Sequence, residues 1–241
     1  MLPEKLRTET DSMNMRFFRV LALILLAHGP ALAQIPSAGS PADLNAVFFR
    51  LFGSVTAFTA KVDLQVLDKS QKEWMRMPMI LSTLDNKARL EVNLEEVKSK
   101  DVTEGAVAKL KEAGLNHVVS ILRPDKKTRL VLYPAAQGYV TIPLSAADVE
   151  AWGKGLLTEK TPVGNETLDG YACVKNRVVV RNVQGPVLEA TTWNAADLKG
   201  FPIQIQTKEK ENTVVMRFSQ VQLGKPAAKQ FELPAGYREM K

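Results

Sequence analysis

The stretch FTAKVDLQV at residues 58–66 decides the fold class of this chain. Apolar and polar side chains alternate along it with a period of two residues. That period is typical of a β-strand with one face in a core and the other in water. Comparable short segments follow, separated by turn-forming residues, and the pattern predicts about ten or eleven strands in total. The further strands are predicted at 74–83, 87–94, 117–123, 129–133, 138–143, 171–182, 187–195, 201–208 and 212–223, with a final edge segment near Phe231.

Three short helical segments are predicted between the strands. Apolar residues at 44–52 recur with helical spacing until Gly53. A second helical segment is predicted at 102–113, with Thr103 as the cap and Gly114 as the terminator, and a shorter one at 146–152 follows Ser145. The alternation of strands and helices that builds parallel sheets does not occur in the sequence. We therefore expect an α+β fold in which short helices cover one large, curved antiparallel sheet. The apolar face of such a sheet is buried either because the sheet curls into a barrel or because the helices cover it, and either arrangement leaves room for a cavity.

The N-terminal segment predicts export. Two arginines, an eight-residue apolar run at 20–27 and small residues at 31 and 33 follow one another. This order is typical of a secretory signal peptide, and it places the cleavage site between Ala33 and Gln34. Because the apolar run is too short to span a bilayer, we expect a periplasmic protein with no transmembrane anchor after cleavage.

The chain is predicted to have three parts. Residues 1–33 form the signal peptide, which starts at Met1 or at one of the methionines at 13 and 15. Residues 34–42, rich in Pro, Ser, Gly and Ala, form a flexible leader. Residues 43–241 form a single domain. With 45% hydrophobic and 24% charged residues, the composition is that of an ordinary globular protein.

The charge pattern argues against nucleic-acid binding. The formal net charge is +6, and basic and acidic residues are interspersed, as in the Lys-Glu-Lys-Glu run at 208–211. A nucleic-acid-binding protein concentrates its basic residues on one face, whereas mixed charges are typical of a solvated surface. The single cysteine, Cys173, excludes an intramolecular disulfide, so the apolar core must supply the stability.

Signals for catalysis are weak. After removal of the signal peptide His117 is the one histidine, and it lies in a predicted strand, so a metal site with several imidazole ligands cannot form. Cys173 also lies in a predicted strand, where apolar surroundings raise a thiol pKa. The sequence contains no serine nucleophile elbow, phosphate-binding glycine loop or dinucleotide fingerprint. We expect no enzyme activity, no metal and no cofactor.

The methionines are the most informative apolar residues. Met75, Met77 and Met79 share one face of a predicted strand, and Met216 lies near Phe218 on one face of another. Flexible thioethers adapt to variable apolar partners, so they suit a pocket for acyl chains, but they also fill irregular gaps in a core. Pro78 cannot donate a ladder hydrogen bond and predicts an edge strand or a bulge.

Four motifs resemble the LolA/LolB-type lipoprotein-localisation fold, an open half-barrel of antiparallel strands wrapped around helices. A helix leads directly into an alternating strand at 42–60, and an arginine-bearing strand follows at 86–92. A strand-turn-strand unit occurs at 129–140, and a closing Phe-x-x-Pro-x-Gly signature at 231–236. The resemblance implies an open half-barrel over most of residues 42–238.

The resemblance is nearest to uncharacterised secreted bacterial members of that superfamily. They similarly carry an Arg-Pro-Asp-Lys element as at 123–126, a Gly-Tyr-x-Cys element as at 170–173 and a Trp-x-Ala-x-Asp-Leu element as at 193–198. The resemblance further implies that Arg89 latches its strand to the helices. From the residues alone, Arg89 could equally be an exposed cross-strand charge partner.

Two functions of different classes remain open. The first is a periplasmic, non-catalytic carrier or chaperone-like protein that binds a lipid, an acyl chain or a lipidated polypeptide on a concave apolar face. The second is a cell-envelope module that binds a partner protein and has a filled core and no small ligand. For the carrier, the candidate apolar lining residues are Met75, Met77, Met79, Leu130, Leu132, Met216 and Phe218.

Overall fold

The structure is a computed structural model, and it describes residues 46–100, 102–153 and 155–240. The predicted signal peptide, the leader and the start of the first predicted helix lie outside these residues. The helices are α1 (Ala46–Phe49), which continues into a 3-10 turn at Arg50–Phe52, α2 (Glu104–Glu112) and α3 (Ala146–Gly153). Thr103 caps α2 by accepting a hydrogen bond from the Ala106 amide at 3.2 Å. The second and third predicted helices are therefore confirmed.

Thirteen strands of the described residues form one sheet. They are β1 (Phe58–Leu67), β2 (Glu73–Leu84), β3 (Lys87–Asn93), β4 (Lys98–Ser99), β5 (His117–Arg123), β6 (Thr128–Tyr133), β7 (Gly138–Pro143), β8 (Leu157–Leu168), β9 (Tyr171–Asn182), β10 (Gly185–Ala195), β11 (Phe201–Glu209), β12 (Asn212–Leu223) and β13 (Arg238–Glu239). Their order is β13-β7-β6-β5-β3-β2-β1-β12-β11-β10-β9-β8, with β4 beside β2. All pairs except the parallel β13-β7 pair are antiparallel. The sheet is not closed, and the predicted α+β open half-barrel is confirmed.

Two strand predictions need correction. β8 was not expected, because every residue from Leu157 to Thr167 is exposed and the segment shows no apolar alternation. The final edge strand predicted near Phe231 is wrong, because Ala228–Phe231 is a 3-10 turn and the last strand is β13. The other predicted strands are present, with ends shifted by at most two residues.

Of the two alternatives predicted for β2, the edge strand is wrong, whereas a bulge is present, not at Pro78 but where the register shifts between Val66, which pairs with Met75, and Leu67, which pairs with Glu73. β2 lies between β1 and β3 in the sheet. Pro78 nevertheless pairs on one side only, with Asp63 of β1. On the other side, β4 pairs with Met75 and Arg76 and β3 begins at Met79, so Pro78 falls in the gap between them. The missing amide hydrogen therefore interrupts no pairing there.

The two faces of the sheet are covered by different parts of the chain. On the inner face, defined here as the face that carries Met77, the ring of Phe52 from the 3-10 turn packs on Phe58, Phe201 and Phe218 at 4.9, 5.5 and 5.6 Å between centroids. On the opposite, outer face, the C-terminal segment places a fully buried phenylalanine in a second apolar cluster. The buried residues of that cluster are Leu84, Val119, Ile121, Leu132 and Phe231.

Candidate ligand-binding face

Five of the seven predicted lining residues lie together on the inner face. The register places Leu64 of β1 between Met77 of β2 and Met216 of β12. The next pair along β1 places Val62 between Met79 and Phe218. All five predicted residues are buried, with exposed fractions between 2% for Met216 and 7% for Met79. Four thioethers and one aromatic ring therefore lie on the same face of β2 and β12, the two strands that flank β1.

The other two predicted lining residues lie on the outer face. Val92 on the inner face pairs with Val118, and two residues along β5, Ser120 pairs with Val131. Val131 is therefore an inner-face residue, and its neighbours Leu130 and Leu132 point the other way. Leu132 is buried in the outer cluster and Leu130 packs against that cluster. The sequence could not assign the faces of β6, because its three central residues are all apolar.

An aromatic cluster fills one end of the inner face. The Phe218 ring stands perpendicular to that of Phe201 at 5.5 Å, and Phe201 packs edge-on against Phe58 at 4.8 Å. Phe58 and Phe201 are fully buried. Phe218 is thus a core contact as well as a candidate lining residue, while the methionines extend away from this cluster along β2 and β12.

A row of paired residues crosses the inner face from the edge strand β8 to β2. Each residue is the register partner of the next. The row consists of Lys160, Val178, Ala190, Thr207, Val214, Val66 and Met75. Between its two ends Thr207 is the one polar residue. Its hydroxyl oxygen is buried and has no hydrogen-bond partner among the residues that the structure describes.

A small pocket of about 180 Å³ lies at the β8 end of this row. It is enclosed by the 3-10 turn that follows α1, by strands β8 to β10 and by the turn before β11. Its lining residues are Arg50, Leu51, Phe52, Gly53, Ser54, Thr158, Lys160, Val178, Asn194, Lys199 and Gly200. Three of them are basic and none is acidic. Although Lys160 as a whole is exposed, desolvation at the pocket lowers the pKa of its ammonium group below the usual value of 10.5.

A buried polar network holds one wall of the pocket in place. The side-chain oxygen of Asn194, Oδ1, accepts hydrogen bonds from Asn176 Nδ2 at 2.9 Å and from the Thr192 hydroxyl at 2.7 Å. The side-chain nitrogen of Asn194, Nδ2, donates to the backbone carbonyl of Gly200 at 2.7 Å. This last bond ties the turn that carries Lys199 to β10. No local sequence pattern predicts the network or the pocket, because their residues come from segments far apart in the chain.

The predicted latch residue Arg89 lies on the outer face. Its register partners are Ser82 of β2 and Ile121 of β5, and Ile121 belongs to the outer cluster. Arg89 Nη1 lies 2.5 Å from Oε1 of Glu91, on the same strand, and His117 Nε2 lies 3.5 Å from the other Glu91 oxygen. The structure therefore places Arg89 in a charged group on β3 and β5, on the face opposite Phe52 and its ring contacts.

The remaining candidates for chemistry are dispersed. Cys173 is buried and free, and desolvation raises the pKa of its thiol, which disfavours the reactive thiolate. Within residues 46–100, 102–153 and 155–240, no group of three or more His, Cys, Asp or Glu side chains is placed to hold a metal ion. Over the same residues, no helix combines the length and apolar character needed to cross a membrane.

Comparison with known proteins identifies relatives of the fold. A family model described as a domain of unknown function, DUF4412, matches residues 181–237, less than half of the chain. No curated protein matches the chain. Solved structures with a similar fold include a LolA superfamily protein from Nitrosomonas europaea, with 10% identity over 76% of this chain and 93% of that one, at a TM-score of 0.38.

Two mycobacterial structures are also similar. The lipoprotein LppX from Mycobacterium tuberculosis shows 12% identity over 72% of this chain and 90% of that one, at a TM-score of 0.39. LprF from Mycobacterium bovis shows 13% identity over 76% and 94%, at a TM-score of 0.37. At such identities the likeness concerns the fold alone.

Proposed function

We propose that this protein is a periplasmic, non-catalytic carrier that holds a lipid, an acyl chain or a lipidated polypeptide against the inner face of its sheet. The observation that carries the proposal is the grouping of Met75, Met77, Met79 and Met216 on one face of β2 and β12, the two strands that flank β1. Methionine has three rotatable bonds and a polarisable sulfur, so such a surface can repack around chains of different shape. Leucine or isoleucine would give a more rigid core at the same positions.

The position of the methionines also supports a carrier. They begin in the row that holds Met79 and Phe218 and extend away from the cluster of Phe52, Phe58, Phe201 and Phe218, which supplies a rigid apolar core at one end of the face. A protein whose core is already secured by interlocking aromatic rings can repack elsewhere at lower cost in stability. The motif resemblance to the LolA/LolB-type fold points to the same class of ligand.

Photo-crosslinking tests the proposal. The protein, purified from a bacterial periplasm, is incubated with palmitic acid that carries a mid-chain diazirine, irradiated and digested for mass spectrometry. We expect labelled peptides from the inner-face strands, namely β1, β2 and β12 for an acyl chain that lies on the methionines and β9 to β12 for one that enters from the β8 end of the sheet. Label confined to the outer-face residues of β5 and β6, or none at saturating ligand, would contradict the proposal.

A pair of variants sharpens the test. Met77→Trp adds bulk at the centre of the methionine group and should block the labelling of β1 and β2, whereas Met77→Leu keeps the volume and should not. Because overpacking costs about 1–3 kcal/mol, circular dichroism must first show that the Trp variant is folded. Equal labelling of β1 and β2 in both variants would show that the acyl chain of palmitate does not lie on the methionine group.

A partner-binding module is the second candidate, and the aromatic cluster is the observation that favours it, since the inner face is filled at that end. It predicts that native mass spectrometry gives the mass of the chain alone and that added palmitic acid leaves this mass unchanged. A near-stoichiometric lipid adduct would instead favour the carrier.

A further inference from the structure

We infer that the pocket at Arg50, Lys160 and Lys199 binds the anionic headgroup of an amphiphile whose acyl chain follows the inner face, so that the ligand is a carboxylate or phosphate amphiphile rather than a neutral lipid. The inference rests on the proposed carrier function and narrows its ligand class. The pocket is separate from the methionine group and belongs to the opposite end of the same row of residues.

The charge of the pocket is the first step. Arg50, Lys160 and Lys199 line it with no acidic residue among the lining. Within the part of the chain that the structure describes, these three form no ion pair. Basic residues on the neighbouring outer face behave differently, since Arg177 pairs with Glu189 at 2.7 Å and Arg181 with Glu159 at 3.0 Å. The pocket therefore holds an uncompensated positive charge that an anion would neutralise.

The walls of the pocket are fixed before any ligand arrives. Phe52, on one side, is locked by its ring contacts with Phe58 and Phe201. Lys199, on the other side, lies in a turn held by the 2.7 Å bond from Asn194 to Gly200. The walls themselves need not reorder when an anion binds, so the loss of conformational freedom is confined to the exposed side chains of Arg50, Lys160 and Lys199. The partial desolvation of Lys160 strengthens its interaction with a negative charge.

The row of residues from Lys160 to Met75 gives the acyl chain of the ligand its path across the inner face. Six strand spacings separate its ends, which corresponds to about 29 Å at ~4.8 Å per spacing. One acyl chain spans about half of the ~30 Å hydrocarbon core of a bilayer. A chain whose headgroup lies beside Lys160 thus passes over Val178 and Ala190 and reaches Thr207 or Val214. Val178 and Ala190, which it crosses before Thr207, are apolar and only 2% and 3% exposed, so the acyl chain takes the place of the groups that cover them.

Displacement of the neutral fluorescent probe N-phenyl-1-naphthylamine measures the affinity of each competing ligand and so tests the inference. The competing ligands are palmitate, lysophosphatidic acid, neutral 1-hexadecanol and inorganic phosphate, at pH 7.5 and low salt. The variants are Lys160→Gln and Arg50→Gln. The matched control is Lys61→Gln, which changes an exposed strand lysine on the outer face of β1.

Palmitate and lysophosphatidic acid should bind about tenfold more weakly to either pocket variant, a change of ~1.4 kcal/mol. Hexadecanol should bind all variants within about twofold, because it carries no charge, and Lys61→Gln should behave as the unmodified protein. Added salt should weaken palmitate binding in the unmodified protein and have less effect in the variants.

Other results overturn the inference in distinguishable ways. If palmitate and hexadecanol both bind, but with the same affinity in every variant, the carrier function stands and the headgroup pocket is wrong. If neither displaces the probe or binds by calorimetry, the carrier function fails and the inference with it. If inorganic phosphate binds through Lys160 while no amphiphile binds, the pocket takes a free anion and the amphiphile is excluded.

Discussion

Replacing Arg123 with methionine tests how the C-terminal segment is fastened to the outer face. The Arg123 side chain is 5% exposed, and its Nε and Nη2 atoms donate to the Asp125 carboxylate at 2.8 and 2.7 Å. Its Nη1 donates to the Phe231 carbonyl at 2.9 Å and lies 2.6 Å from Glu232 Oε1. Methionine keeps an apolar side chain of similar length and removes the guanidinium, so the variant reports on the polar contacts.

The expected loss follows from the burial of each group. Removal of one partner from a fully buried ion pair costs about 3–5 kcal/mol, because the other charge stays buried and uncompensated. Here the Asp125 and Glu232 side chains are each 48% exposed, so water can solvate them after the arginine is gone. The buried carbonyl of Phe231 loses its donor at a cost of about 1 kcal/mol. We expect Arg123→Met to lower the free energy of unfolding by about 2–4 kcal/mol.

Urea unfolding at pH 7, followed by circular dichroism, measures this loss. Lys126→Met is the matched control, because Lys126 is 58% exposed and lies 3.1 Å from the same Glu232 carboxylate. An exposed pair of this kind contributes less than about 1 kcal/mol. Equal stability of the two variants would refute the assignment of Arg123 as the residue that fastens the C-terminal segment.

The pH dependence gives an independent check with a definite sign. Hydrogen bonds from Arg123 hold the pKa values of Asp125 and Glu232 below their ordinary 3.8 and 4.5. A carboxylate with a lowered pKa in the folded state stabilises the fold above its unfolded-state pKa, and this contribution is lost as the pH falls through the folded-state value. The stability difference between the unmodified protein and Arg123→Met should therefore narrow below about pH 4. A constant difference down to pH 2 would contradict the ion-pair explanation.

Three further predictions follow from buried or desolvated groups. Thr207→Val removes a buried hydroxyl without a partner and should raise the free energy of unfolding by about 1 kcal/mol in urea titrations; a loss would show that the hydroxyl is satisfied. Cys173, buried with a raised thiol pKa, should react with Ellman's reagent far more slowly in the folded protein than in urea, and equal rates would show that the thiol is accessible. Because the pKa of Lys160 is lowered, this lysine loses its positive charge at a lower pH than an ordinary lysine. As the pH is raised, palmitate affinity should therefore begin to fall earlier than an ordinary lysine would give, and Lys160→Gln should abolish that fall.

The sequence predicted the parts of the sheet whose strands have one wet and one dry face. β1 is the clearest case, since its buried residues alternate with partly exposed ones along its whole length. β8 escaped because an edge strand with exposed residues on both faces carries no periodic signal. β6 was predicted as a strand but not oriented, because an apolar stretch covered on both faces has no polar residues to mark the outside.

The candidate site could be predicted from local sequence patterns to a smaller extent than the sheet. The methionines of β2 could be placed on one face from their spacing alone, and Met216 could be added to that face only through pairing of its strand with β1. The basic pocket joins Arg50, Lys160 and Lys199, which are separated by more than a hundred and by about forty residues. No local pattern connects such residues, since the order of the strands alone brings them together.

The motifs that carry the LolA-like resemblance lie at contacts that hold distant segments together. Arg123 and Lys126, from one motif, reach Phe231 and Glu232 at the start of the closing signature. In the other half, Cys173 is the register partner of Ala195, which joins the motifs at 170–173 and 193–198.

The methionine part of the candidate ligand face lies outside these motifs, although the pocket takes Arg50 from the motif at 42–60 and Asn194 from the motif at 193–198. It consists of apolar residues that are set by register and whose identities the fold leaves free, as long as volume and polarity are kept. The same motif contacts can therefore support inner faces of different shape and charge. The resemblance thus concerns the half-barrel, whereas the proposed ligand depends on the methionines and on the cations at the β8 end of the row.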